Sequence, residues 1–230
     1  MSAGGDSDFE DDYYVSLLPT EHFNRFWEHQ HKVTQFGHFV SRSLVDSKSI
    51  NTRGSAFDSN YEALEYNNRL LFTRILDNFQ TFVTEIISAC MQKNPKMLGA
   101  YTLKAEILFQ YDDLGELRKL AVEQMATKFS YMNIADLDDE LRSRFGFPLF
   151  ERKITKLRIK RLVEIRNAIV HNRGLKSSNF VKRVGAKVDR IGDEIAFAHP
   201  ADVGSYIERI AEDVDQRAKL HFGLEPEHDS

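Results

Sequence analysis

Cysteine is almost absent from this 230-residue chain. Cys90 stands alone, which excludes an internal disulfide and a cysteine-rich zinc cluster and fits a reducing compartment. Long apolar runs are missing too. Nothing approaches the roughly 20 consecutive apolar residues of a membrane helix, and the opening Met-Ser-Ala-Gly-Gly-Asp-Ser-Asp-Phe-Glu-Asp-Asp has neither the basic nor the apolar region of a signal peptide. A cytoplasmic protein without membrane contact is therefore expected. The chain also lacks a glycine-rich phosphate loop, a Gly-x-Ser-x-Gly elbow and a dinucleotide fingerprint. His22, His29, His31 and His38 crowd one predicted helix without forming a clean i, i+4 metal pair, so neither a metal nor a cofactor is expected. What remains is 42% hydrophobic and 29% charged, with five prolines, which describes a globular chain of one or two domains.

The net charge of −4 conceals a strong asymmetry. Thirteen Lys or Arg against Glu151, Glu164 and Asp189 give +10 between residues 151 and 190, leaving −14 elsewhere. Such a segment is the footprint of a polyanion-facing surface, because cations release counterions from phosphates. It could instead face the acidic run Asp136, Asp138, Asp139 and Glu140, or form a solvated helix surface.

Hydrophobic periodicity reads as helices nearly throughout. Residues 1–12, acidic and poor in apolar anchors, are expected to be a disordered tail, and 225–230 a second one. Phe23, Phe26, Trp27, Val33, Phe36, Val40 and Leu44 mark a helix from Pro19-Thr20 to Asp46, followed by a polar loop to Ser59. This 13–59 segment is expected to pack on a bundle spanning 60–224. Within the bundle, a helix of about nine turns from Tyr61 is closed by Pro95. Shorter helices follow around Tyr101 to Phe109, Leu114 to Phe129 and from Asn133 to Phe145. Another begins near Pro148 to Glu151 and stops at Asn172-Arg173-Gly174, and His199-Pro200 opens the last. Between these two, Lys187 to Ile191 and Glu194 to Phe197 flank Gly192-Asp193 and predict a small β-hairpin. The fold class is thus all-α, a helical bundle with one hairpin.

One helix carries the chemistry. At about 100° per residue, Ile154, Leu162, Ile165 and Ile169 fall within one arc, the expected core side. Lys153, Lys156, Lys160, Glu164, Asn167 and His171 form a polar stripe. Arg166 departs from the pattern, because its neighbours on the wheel are Ile159 and Val170. A guanidinium beside apolar surface needs either an acid on a neighbouring helix or a bound phosphate. In a chain with 17 Arg and 8 His, chance supplies about 0.6 pairs spaced as Arg166 and His171 are, and requiring Asn after the Arg lowers this to roughly 0.03. Alternative duties exist for each residue: His171 as a cation at the helix C-terminus, Asn172 and Gly174 as a cap, Glu164 as a surface acid or one that orients a cation.

The string Ile165-Arg166-Asn167-Ala168-Ile169-Val170-His171-Asn172-Arg173-Gly174 resembles the signature of the HEPN superfamily. These are small all-α domains, many of them metal-independent endoribonucleases, with an Arg, a polar residue and a His after four to six positions. The resemblance implies an endoribonuclease of the toxin or antiphage-defence kind, acting as a homodimer on RNA, with an antitoxin or regulatory partner in prospect. Arg166, His171 and Asn167 would be catalytic, and Lys160, Arg173, Asn172 and Glu164 would bind substrate. Arg166 and His171 lie about 140° apart on one helix, and two copies facing each other would bring both kinds of group to one cleft. A non-catalytic RNA- or protein-binding dimer module is the alternative. The acidic N-terminus would then shield the basic surface by mimicking a polyanion.

Overall fold

A computed structural model describes residues 18–46, 59–99, 102–185 and 190–226. The expected tail at 1–12, nearly all of the expected loop before Ser59, and the first three residues of the expected hairpin lie outside them. The all-α reading holds. Eight α-helices are described: α1 (Glu21–Asp46), α2 (Asn60–Lys93), α3 (Ala105–Leu108), α4 (Leu114–Ser130), α5 (Ile134–Phe145), α6 (Lys153–Asn172), α7 (Ser178–Val184) and α8 (Pro200–Phe222). A short 3-10 helix, Pro95–Leu98, follows α2 where proline ends its ladder.

The helix ends follow from capping chemistry. Asp113 and Asn133 start α4 and α5 by accepting the N–H groups of Gly115 and Ala135, each at 2.9 Å, which satisfies donors that the helix itself leaves open. Ser177 does the same for α7, accepting from Phe180 N at 3.1 Å. Helix α5 stops at Gly146, as expected.

The expected hairpin is not present: the described residues contain no strand. Only an isolated antiparallel bridge, Leu175 with Glu194, is found. Residues 192–195 pair with 174–176: Lys176 N donates to Asp193 O, Gly192 N to Lys176 O and Ile195 N to Gly174 O, at 2.8–2.9 Å, while Asp193 N closes a turn onto Arg190 O at 3.3 Å. The turn signal at Gly192-Asp193 was sound, but the partner was set by the chain leaving α6. Helix α7 lies in the interval between Gly174 and Lys187, to which periodicity assigns no element.

The chain divides into two compact units. One comprises residues 1–25, 81–149 and 210–230, with a core that includes Phe82, Ile86, Met91, Met125, Phe129, Leu141 and Leu149. In this unit Asp215 of α8 is fully buried and accepts from both Thr20 N, at 3.1 Å, and Thr20 Oγ1. Burial holds its carboxyl above the ordinary range, and the two Thr20 hydrogen bonds only partly offset this.

The other unit comprises 26–80 and 150–209, and holds the motif helix. Phe72, Ile75, Leu76, Phe79, Ile159, Leu162, Ile165, Val203 and Ile207 are buried in it. Gly37 lets α1 approach α2 closely, since a Cβ there would lie 2.4 Å from Leu71 Cδ1. Ile154, expected on the core side, is 70% exposed, and Leu157 is 51% exposed. The helical arc was right, but α6 enters the core only at Ile159, and a wheel does not report where along its axis a helix becomes covered. Among the described residues, no helix is long and apolar enough to cross a membrane.

Candidate functional site

Helix α6 is positioned through its second half, where Ile159, Leu162, Val163, Ile165 and Ala168 are all buried. Arg166 sits at the edge of this packed region, with 22% of its side chain exposed. Its partner is Asp77 on α2, a helix 89 residues back in sequence. Arg166 Nε and Nη2 donate to the same oxygen, Asp77 Oδ1, at 2.8 and 2.5 Å. Nη1 donates to Asn167 Oδ1 at 3.1 Å. A guanidinium has five N–H groups; these contacts use three, and no described residue accepts from the remaining two. The plane of the group is thereby fixed from one side by a carboxylate and along the helix by an amide.

His171 stands one turn and a half further along α6 and is exposed. Its ring forms no hydrogen bond or ion pair among the described residues. Arg166, Asn167 and Asp77 are therefore brought together, while His171 lies outside that cluster within a single chain. Asn172 is exposed and ends the helix, and Arg173 follows in a left-handed conformation (φ 57°), its N–H donating back to Ala168 O. Gly174 continues left-handed at φ 79°, where a Cβ would meet Arg69 Nη1 at 3.1 Å. Two consecutive left-handed residues turn the chain out of α6 toward the 192–195 segment.

Lys160 is half-buried, and Glu164 is buried, with 4% of its side chain exposed, pairing with Arg183 Nη1 of α7 at 3.3 Å. The stripe read from periodicity is thus interrupted by Glu164, because α7 supplies a cation against it. Of the basic segment, Arg158 stacks its guanidinium 4.0 Å from the centre of the Tyr206 ring. Arg152, Lys153, Lys160, Arg161, Arg173 and Lys182 form no ion pair among the described residues. Of the acids proposed as an internal counterweight, two have partners on their own helix: Asp138 with Arg142 and Glu140 with Arg144.

Sequence reasoning missed Asp77, Arg69 and Arg183. Asp77 carried a signal of the same kind as Arg166, a charged residue between Leu76 and Phe79, both fully buried. Among the described residues, no group of three His, Cys, Asp or Glu side chains could hold a metal ion. No family model matches the chain, and no curated protein or solved structure matches it.

Proposed function

We propose that this chain is a metal-independent endoribonuclease of HEPN type, acting as a homodimer and serving a toxin or antiphage-defence role in the cytoplasm. The observation that carries the reading is a half-buried guanidinium, Arg166, fixed by two side chains with two N–H groups left over, on the same helix as an exposed imidazole. The basic surface around them supplies the attraction for a phosphate backbone.

The chemistry needs three things: removal of the 2′-hydroxyl proton, stabilisation of the phosphorane, and protonation of the leaving 5′-oxygen. His171 takes the 2′-proton, and the 2′-oxygen attacks phosphorus. Arg166 donates to the non-bridging oxygens as their charge grows, without losing a proton of its own. A second imidazole, from the facing copy, returns a proton to the 5′-oxygen as the P–O bond breaks. The products are a 2′,3′-cyclic phosphate and a 5′-hydroxyl. Asn167 holds Arg166, and Lys160, Arg173 and Asn172 extend the anion track. Glu164 acts on substrate only through the placement of Arg183. An antitoxin or regulatory protein is the partner that would restrain such an activity.

The second reading is a non-catalytic RNA- or protein-binding dimer module. It is favoured by the Asp77 pairing, which already gives Arg166 a structural reason to exist. Incubating the purified protein with mixed RNA in EDTA separates the two. The nuclease reading expects cleavage by the wild type and a loss of at least about 100-fold in His171→Ala and Arg166→Ala. No cleavage by the wild type, or equal cleavage by all three, contradicts it; RNA retained without cleavage favours the module.

A further inference from the structure

We infer that Asp77 is a positioning residue for Arg166, holding the guanidinium ready to receive a phosphate; the inference rests on the anion-binding reading of Arg166 given above. An ordinary surface ion pair joins two mobile side chains and orders neither. Here one carboxylate oxygen accepts from both Nε and Nη2, at 2.8 and 2.5 Å, so the contact fixes the plane of the group as well as its place. The third contact, Nη1 to Asn167 Oδ1, comes from the motif itself and fixes the remaining rotation. Arginine has several rotatable bonds, and a phosphate meeting a free one must freeze them on arrival. Asp77 removes that requirement in advance, from a different helix whose own neighbours Leu76 and Phe79 are fully buried.

The carboxylate also carries a negative charge near the place where a phosphate would bind. That charge opposes binding, so its presence beside the motif makes sense when orientation matters more than net attraction. The two effects have opposite signs on replacement, which makes the inference testable. Removing the carboxylate from a positioning residue weakens use of phosphate; removing it from a mere competitor strengthens it.

The test compares the full-length wild type with Asp77→Asn, Asp77→Glu, Arg166→Ala and the Arg166→Ala/Asp77→Asn double variant, each verified as folded by circular dichroism at the assay temperature. Cleavage of a labelled single-stranded RNA of mixed sequence is followed in EDTA, and affinity for the same RNA by fluorescence anisotropy. Positioning predicts that Asp77→Asn lowers kcat by about 10- to 100-fold with KM changed much less. Asp77→Glu, which keeps the charge, recovers part of that loss. In the Arg166→Ala background, Asp77→Asn adds nothing further. A purely structural Asp77 would instead lower both backgrounds alike, and that result overturns the inference, as does faster cleavage or tighter binding by Asp77→Asn. Should the wild type not cleave RNA, the nuclease reading fails by itself and the anisotropy arm decides this one. Weaker binding by Asp77→Asn only when Arg166 is present supports it, and equal or tighter binding overturns it.

Discussion

Replacing Arg166 and Asp77 by alanine, singly and together, measures how strongly the two are coupled in the folded chain. The pair lies within one compact unit, with side chains 22% and 30% exposed, and two N–H groups converge on one carboxylate oxygen. A well-shielded hydrogen bond to a charged group contributes roughly 1.5–3 kcal/mol, whereas a fully exposed ion pair contributes roughly 0.2–1 kcal/mol. With most but not all of each side chain out of water, a coupling of about 2 kcal/mol follows. Each single variant leaves one half-buried charge without its counterpart, so the double variant is expected to be nearly as stable as either single one. Urea unfolding of the four proteins, followed by circular dichroism, gives the coupling energy directly. Single effects that simply add, to within about 0.5 kcal/mol, would refute the argument that this contact orders Arg166.

Three further predictions concern other residues. Burial holds the Cys90 thiol up to about 12 against an ordinary 9.0. The folded chain therefore keeps this proton where the unfolded chain loses it, and the stabilisation is complete below pH 9 and lost as pH rises toward 12. Between pH 8 and pH 10 the wild type should lose on the order of 1 kcal/mol more than Cys90→Ala in urea titrations, and parallel losses would contradict this. Arg173 occupies a left-handed conformation at φ 57°, so Arg173→Gly should raise stability by about 1 kcal/mol while weakening RNA affinity. Gly174→Ala, with φ 79° and its new Cβ 3.1 Å from Arg69 Nη1, should instead lower stability by about 1 kcal/mol or more. Thermal unfolding and filter binding check both.

What was legible in the sequence was local. Asn133 and Gly146 bound α5 and Pro200 opens α8 because capping and proline chemistry act within a few residues. The two-sided polarity of α6 showed that Arg166 sat beside apolar surface, and so needed a partner. Which partner it had was not legible, because Asp77 is 89 residues away and only the packing of α2 brings it near. The hairpin failed for the same reason: Gly192 announced a turn, but the pairing of 192–195 with 174–176 depends on how the chain leaves α6. That Glu164 is buried against Arg183 was not legible, because nothing in its own helix predicts α7, whose seven residues are too few to show periodicity. Ser177 and Gly185, its two caps, were the only local signals of that helix.

The account depends on an imidazole acting on the 2′-oxygen of RNA, and the termini of the products report that step most directly. RNA digested in EDTA by the wild-type protein should carry 2′,3′-cyclic phosphate and 5′-hydroxyl ends, and His171→Ala should yield neither above background. Products with 5′-phosphate ends, or the same ends at the same rate from His171→Ala, would contradict it.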